Sequence, residues 1–329
     1  MATVSVFIPC YKYGNYLRAC VQSVLKQEGV EVRVLILDDC SPDDTPGVAA
    51  QLCREDGRVE YRRHARNAGH IRTYNEGLEW ASGDYVLLLS ADDMLAPGAL
   101  ARAARVMDEH PEVVLTCGGE IRAAEPQFDA IPEPGDFTFK ILTGAEFWQK
   151  SCAIGGNVVS TPTAVARTST HKRVGGYSET LPHSGDLEMW LRLAGHGSVG
   201  VIQTVQGFYR VHGQNMSVGF EGLRDLQQRH AAFAAAASTL GDRIPDSPRL
   251  VSRAARALAE QAFWIGSRLF EQRRLLLSRQ CFDAALQMCP DLKQWRCWRR
   301  QQLKELLGPG VLRVLRPLMA WARGRRPAA

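Results

Sequence analysis

Hydrophobic positions follow two periods along the first part of the chain. TVSVFIP (3–9) and VEVRVLILDD (30–39) are dense in β-branched residues and read as buried strands. Between them Leu17, Cys20, Val21, Val24 and Leu25 recur at helical spacing behind Asn15, a candidate N-cap, which makes a βαβ unit. The alternation continues. Ser41 and Thr45-Pro46 open a helix toward Arg54, RVEYRRH (58–64) reads as a strand, a helix crosses Ile71, Leu78 and Ala81, and DYVLLLS (84–90) returns to the sheet. A further strand runs from Glu112 to about Arg122. Strands alternating with helices predict an α/β fold with a mostly parallel sheet covered on both faces.

Other segments break the pattern. AEPQFDAIPEPGD (124–136) is a proline-rich acidic stretch without helical periodicity, read as a mobile loop facing an acceptor. DLEMWLRLAGHG (186–197) is a helix with Leu187, Trp190, Leu191 and Ala194 as its buried stripe, and SVGVIQTVQGFYRVH (198–212) holds strands. Beyond Phe220 the chain turns rich in Ala, Leu and Arg, with a break at GDRIPDSPR (241–249). The expected division is therefore 1–219, α/β, and 220–329, all-helical.

Composition changes the picture only locally. With 45% apolar and 23% charged residues the chain is an ordinary globular protein, and its net charge of +5 is small. The basicity concentrates in the last forty residues, where ten Lys or Arg face only Asp291 and Glu305. Nine cysteines without a CxxC pair suggest neither a disulfide framework nor a zinc site, and a reducing cytoplasm fits them. MATVSVFIP enters a strand without a charged leader, and no apolar run reaches the roughly 20 residues that span a bilayer. Export by such a signal and membrane insertion are not expected.

Two buried-looking strands end in acid pairs, Asp38-Asp39 and Asp92-Asp93, where open α/β sheets bind ligands. Adjacent carboxylates there suit a divalent cation shared with phosphate oxygens, or, for Asp38-Asp39, a ribose hydroxyl or uracil imide. Helix capping is the alternative for both pairs, as it is for Asp186, where Ser184 or Asp186 can cap the following helix. His64, His70 and His110 lack metal-ligand spacing and read as surface or packing residues.

VSVFIPCYKYGNYL, VLILDDCSPDDT, RNAGHIRTYNEGLEWASGDYVLLLSADD and GDLEMWLRLAG, in this order over roughly 3–215, resemble the family 2 inverting glycosyltransferases. The resemblance implies the GT-A fold, a nucleotide-sugar-binding, Rossmann-like mixed sheet covered by helices, here followed by an all-α region. It also implies transfer from a nucleotide sugar, UDP-linked by preference, to a glycan, lipid-linked or protein acceptor. Asp39, with Asp38 beside it, falls on the uracil and ribose contacts, and Pro9, Tyr11, Asn67, Gly69 and Arg72 on the flanking nucleotide contacts. Asp92 and Asp93 fall on the site holding Mg2+ or Mn2+ against the diphosphate. Arg210 and His212 match a YR-x-H element nearby, His212 as a further metal ligand. Asp186 falls on the general base. Three positions depart from the pattern: Lys12 where Asn is frequent, Ser90 for the first acid of D-x-D-D, and Gly185 for a Glu. An inactive nucleotide-sugar-binding scaffold is the competing expectation.

The segment 254–291 resembles one tetratricopeptide-like unit, a protein-binding surface or simply a docked helix pair. The tail from Trp295 mixes Trp298, Leu303, Leu307, Val311, Leu315 and Trp321 with many Arg. Such a tail either lies at the inner face of an anionic membrane or packs on the protein. No nucleic-acid motif accompanies it.

Overall fold

The computed structural model describes residues 1–127, 135–220 and 222–321, with the backbone alone for 217 and 309–321. The elements are β1 (Thr3–Cys10), α1 (Gly14–Leu25), β2 (Glu31–Asp38), α2 (Thr45–Glu55), β3 (Val59–Arg63), α3 (His70–Trp80), β4 (Tyr85–Leu88), β5 (Met94–Leu95) and α4 (Ala99–Glu109). There follow β6 (Val113–Ala123), β7 (Phe139–Leu142), α5 (Gly144–Ile154), β8 (Val165–Arg167), α6 (Thr168–Val174), α7 (Gly185–Ala194) and β9 (Ser198–Arg210). From α8 (Leu223–Leu240) through α9 (Ser247–Glu271), α10 (Leu275–Met288) and α11 (Arg296–Trp321) the chain is helical.

The strand order is β3-β2-β1-β4-β8-β6-β9-β5, with β7 also on β9. Pairing is parallel from β3 to β4, as the alternating pattern predicts. Beyond β4 the sheet is mixed. The short β8 inserts antiparallel to both β4 and β6, and β5 and β7 pair antiparallel to β9. Those three strands have two to four residues each, too short for a period to show.

Side chains alternate across the sheet. In β1, Val4, Val6 and Ile8 join Leu17 and Val21 of α1 on one face, while Phe7 joins Leu35, Leu37 and Leu78 on the other. Helix α3 lies close on that second face because Gly77 presents no side chain where the Phe7 ring sits. The second core is continuous with the helical region: it runs through Trp148 and Trp190 to Phe233, Phe263 and Trp298.

Several local expectations change. Helix α1 begins at Gly14, so Asn15 is not its cap; Asp43, from the next loop, accepts the Gly14 N–H instead (3.0 Å). Asp92 and Asp93 do not cap α4, whose N-cap is the left-handed Gly98. The 254–291 segment forms the helix pair α9 and α10, and its resemblance to a tetratricopeptide unit goes no further than that pairing. Most of the 124–136 loop and the tail past Trp321 lie outside the described residues. Among the described residues no helix is long and apolar enough to cross a membrane, and the nine cysteines are free.

Candidate functional site

A cleft of about 540 Å³ opens at the carboxyl ends of β1, β2 and β4. Pro9, Tyr11, Asp39, Asn67 and Gly69 line it, together with Lys12, Tyr13, His70, Thr73, Tyr74, Ser90, Gln214 and Met216. Asp39 is its best-organised polar group. Its carboxylate accepts from the Ala68 N–H (2.6 Å) and the Gly69 N–H (2.9 Å), and His64 Nδ1 lies 2.8 Å away. Asn67 donates to the Asp39 carbonyl (3.2 Å). The turn at Gly69 requires φ 87, which glycine adopts without penalty.

Lys12 and Cys40, in the first two strand-to-helix loops, hold φ of 65 and 61 without being glycine. Left-handed backbone suits Asn better than Lys, which gives a physical reason for Asn at this place in the resembling sequences. Here the loop is held by the Lys12 N–H, which donates to Ser41 Oγ (3.1 Å).

Asp38 and Arg72 stand elsewhere. Successive strand residues face opposite sides, so Asp38 turns into the protein, fully buried, where it accepts from the Ser41 N–H (2.7 Å) and the Tyr61 hydroxyl (2.9 Å). It braces the loop behind Asp39 and does not line the cleft. Arg72 is exposed on α3 and pairs with Glu179 (3.1 Å), outside the cleft. His70 and His64 are neither simple surface nor packing residues: His70 lines the cleft, and His64 bridges Asp39 and Glu76 (2.9 Å).

Burial disfavours the charged form of His64, but hydrogen bonds to Asp39 and Glu76 overcome it and raise its pKa above 6.5. A raised folded-state pKa adds stability fully below the unfolded value, and that stability fades as pH rises through the folded value. His64→Gln is therefore expected to flatten the decline in melting temperature between pH 6 and 8. Parallel wild-type and variant melts across that range check it, and identical slopes would contradict it.

The second acid pair lies just past Ser90 and Ala91, behind Tyr13 and Gln214, and does not itself line the cleft. Asp92 Oδ2 is 3.0 Å from His212 Nε2 and accepts from Asn215 Nδ2 (3.3 Å), while Asp93 Oδ1 accepts from the Arg210 N–H (2.9 Å). Asn215, a glycosylation sequon in the sequence, is thus a buried structural amide. Tyr16 stacks on His212 at 5.0 Å, and the Arg210 guanidinium covers Tyr16 at 4.6 Å while donating to the Asp92 and Ala124 carbonyls. Burial raises the pKa of Asp92 against the opposing effect of His212. Burial and then the charge of Asp92 raise that of Asp93. Among the described residues no three His, Cys, Asp or Glu side chains are grouped to hold a metal by themselves. Two adjacent buried carboxylates with incompletely compensated charge do fit a hard divalent cation that draws its other ligands from phosphate and water.

Asp186 sits in the first turn of α7, whose N-cap residue Ser184 makes no side-chain cap. Its Oδ1 accepts from the Leu187 N–H (2.7 Å), and its Oδ2 from Asn157 Nδ2 (2.9 Å) and Thr161 Oγ1 (3.4 Å). Burial raises its pKa, partly opposed by the Leu187 N–H bond and His183. Tyr74 connects the two halves: it lines the cleft, and after burial the charges of Asp186 and Asp92 are the next causes raising its pKa. Asn157 and Thr161 are not legible as site residues in the sequence, since both sit between elements without a motif of their own; Tyr74 lies within the RNAGHIRTYNEGLEW stretch but is not singled out by it.

Residues 5–160 match the family model "Glycosyl transferase family 2". Curated relatives include a GalNAc(5)-diNAcBac-PP-undecaprenol beta-1,3-glucosyltransferase of Campylobacter jejuni, 32% identical over 31% of this chain and 33% of its own length. Another is the succinoglycan biosynthesis protein ExoO of Rhizobium meliloti, 30% identical over 40% of this chain and 39% of its own. The first relatives are matched over only 31% to 33% of their own length. Among solved structures, TarS 1-349 of S. aureus in complex with UDP-GlcNAc aligns with a TM-score of 0.55 and 17% identity, over 89% of this chain and 92% of that one. Mannosyltransferase PcManGT of Pyrobaculum calidifontis, in complex with GDP-Man and Mn2+, gives 0.55 and 17% over 89% and 87%. Residues 5–160 are thus similar to the glycosyl transferase family 2 domain, and the chain shares with TarS and PcManGT a GT-A-like fold, a mixed sheet covered by helices.

Proposed function

We propose that the protein transfers a sugar from a UDP-linked donor to a hydroxyl of a glycan, lipid-linked or protein acceptor, inverting the anomeric carbon. The observation that carries this reading is the arrangement of carboxylates around one cleft: Asp39 ordered on its wall, the buried Asp92-Asp93 pair just past the lining residues Ser90 and Ala91, and Asp186, its pKa raised by burial, acting through its charge on Tyr74 of the cleft wall. UDP-GlcNAc bound to TarS and GDP-Man with Mn2+ bound to PcManGT support a nucleotide sugar here.

In this reading Asp39 and Asn67 orient the nucleoside, and Asp92 and Asp93 would hold a cation whose remaining ligands come from phosphate and water, with His212 bracing Asp92 (3.0 Å) and not completing a three-residue metal site. Mg2+ or Mn2+ bound there would offset charge on the departing diphosphate. The protein supplies the remaining step at Asp186. A carboxyl pKa raised by burial makes Asp186 a stronger base than an exposed aspartate, while Asn157 and Thr161 fix one oxygen so that the other can meet the acceptor hydroxyl. Taking that proton as the oxygen attacks the face opposite the diphosphate gives inversion.

A thermal-shift screen of UDP-, GDP- and dTDP-sugars with MnCl2 tests the donor assignment. A ligand at a hundred times its dissociation constant adds about 2.7 kcal/mol of stability. A shift confined to UDP-linked donors is expected, and a shift with none of them would contradict the reading. Ser90, which leaves the acid pair without a third carboxylate, favours the inactive-scaffold alternative, which turnover by the wild type would exclude.

The helical end contributes a second part of this reading, attachment to an anionic membrane at the cytoplasmic face. Trp298 packs into Phe263 and Phe282, and Arg256 covers Trp295, so these tryptophans serve the protein's own core. Leu303, Leu306 and Leu307 of α11, by contrast, are exposed beside Arg299, Arg300 and Lys304, a combination suited to a lipid interface.

A further inference from the structure

We infer that the helical region holds Asp186 in its working geometry, with Arg229 as the positioning residue that ties together the two loops flanking that carboxylate. The inference rests on Asp186 being the base. Its observation, however, is independent of any substrate.

Two segments fix Asp186 from outside its own helix. One is the loop after α5, which supplies Asn157 and Thr161. The other is the loop entering α7, which contains His183. Both are fastened to the same point on α8. Arg229 Nη1 donates to the Gly155 carbonyl (2.9 Å), two residues before Asn157, and Nη2 donates to Asp225 (2.6 Å) and to Gln261 of α9 (3.1 Å). Gln261 in turn donates to the Ile154 carbonyl (2.9 Å). On the other side Asp225 Oδ1 lies 3.0 Å from His183 Nε2, and the His183 N–H donates to Gln228 of α8 (3.2 Å). The His183 ring stacks on Phe220 at 4.5 Å, parallel within 1°. The chain of contacts closes into a ring: Asp186, Asn157, Gly155, Arg229, Asp225, His183 and back along the backbone to Asp186.

Such a ring has a mechanical meaning. Hydrogen bonds to two backbone carbonyls set the height of the Asn157 loop, and the Asp225 pair sets that of the His183 loop, so their separation across Asp186 is fixed by one guanidinium. A planar fork can satisfy Gly155, Asp225 and Gln261 at once; a lysine ammonium, on a different stem, cannot reproduce that spread. Small misplacements of a reacting group cost large factors in rate. The helical region is thereby part of the catalytic unit and not merely an attached module.

Arg229→Lys isolates the geometry because it keeps the charge. The groups around Asp186 that also titrate or carry charge, namely His183, Tyr74, Tyr177, Glu188 and Asp225, remain unchanged. With the loops loosened, water reaches the carboxylate; burial outweighs the side-chain bonds in setting its pKa, so the net movement is downward. The test is a carbon-13 NMR titration of aspartate-labelled full-length chain, with Asp186→Asn assigning the resonance. The expected result is a midpoint about one pH unit lower in Arg229→Lys than in wild type, with calorimetric UDP affinity unchanged within about twofold. An unchanged midpoint in the folded variant overturns the inference. Should Arg229→Lys fail to fold, Gln261→Ala, which removes only the Ile154 and Arg229 contacts, carries the same expectation and the same refutation. Failure of the base assignment looks different: Asp186→Asn would then turn over normally while the Arg229→Lys midpoint still moved.

Discussion

Asp186→Asn is expected to lower sugar transfer by on the order of 10³-fold, the scale of a lost general base combined with its positioning, while UDP binds with unaltered affinity. The amide keeps the shape of the carboxylate and can still accept from Asn157 or Leu187, so the fold should survive. It cannot take a proton from an acceptor. Since burial raises the Asp186 pKa, the rate in the wild type should fall as pH drops through that raised value, because the protonated acid no longer serves as base. Steady-state release of UDP across pH 4.5 to 8 measures both effects. Full activity in the variant would remove the base from the mechanism.

The second large effect concerns Asp92. Asp92→Asn should reduce metal-stimulated turnover by about 10²- to 10³-fold, the scale of losing a charge that anchors the leaving group's counterion. It should at the same time raise the melting temperature of the metal-free protein. The cause is proton linkage. Asp93 has a folded-state pKa well above 3.8, owing to burial and to Asp92 beside it, so its contribution is favourable at low pH and becomes unfavourable as pH rises through the folded value. Neutralising Asp92 relieves part of that cost at pH 7. A variant that loses activity and stability together would mean that Asp92 serves the fold and not a cation.

The parts of the fold that follow a period are legible in the sequence. β1 to β4 and their helices carry enough β-branched runs and apolar helical spacing to fix the parallel half of the sheet. The mixed half is not legible, because β5, β7 and β8 are two to four residues long and gain their pairing from β9 and β4 and not from their own pattern. The acid pairs mark where the site lies, since strand ends in such sheets meet at one edge. Which acid of a pair faces the cleft depends on strand alternation at the last residue of the strand. Asp38 and Asp39 therefore look alike in the sequence, although one is a buried brace and the other lines the cleft. Arg72 departs from its expected place for a related reason: on α3 it lies between His70 and Thr73, which face the cleft, and points away from both. Asn157, Arg229 and Asp225 leave no trace in the sequence because their role depends on loops and helices distant along the chain coming together.

The most direct test of the account is a crystal soaked with UDP and MnCl2, with data collected at the manganese edge. Uracil is expected beside Asp39, with a single anomalous peak at the Asp92-Asp93 pair. Nucleotide bound outside this cleft, or manganese found away from both aspartates while UDP occupies the cleft, would contradict it.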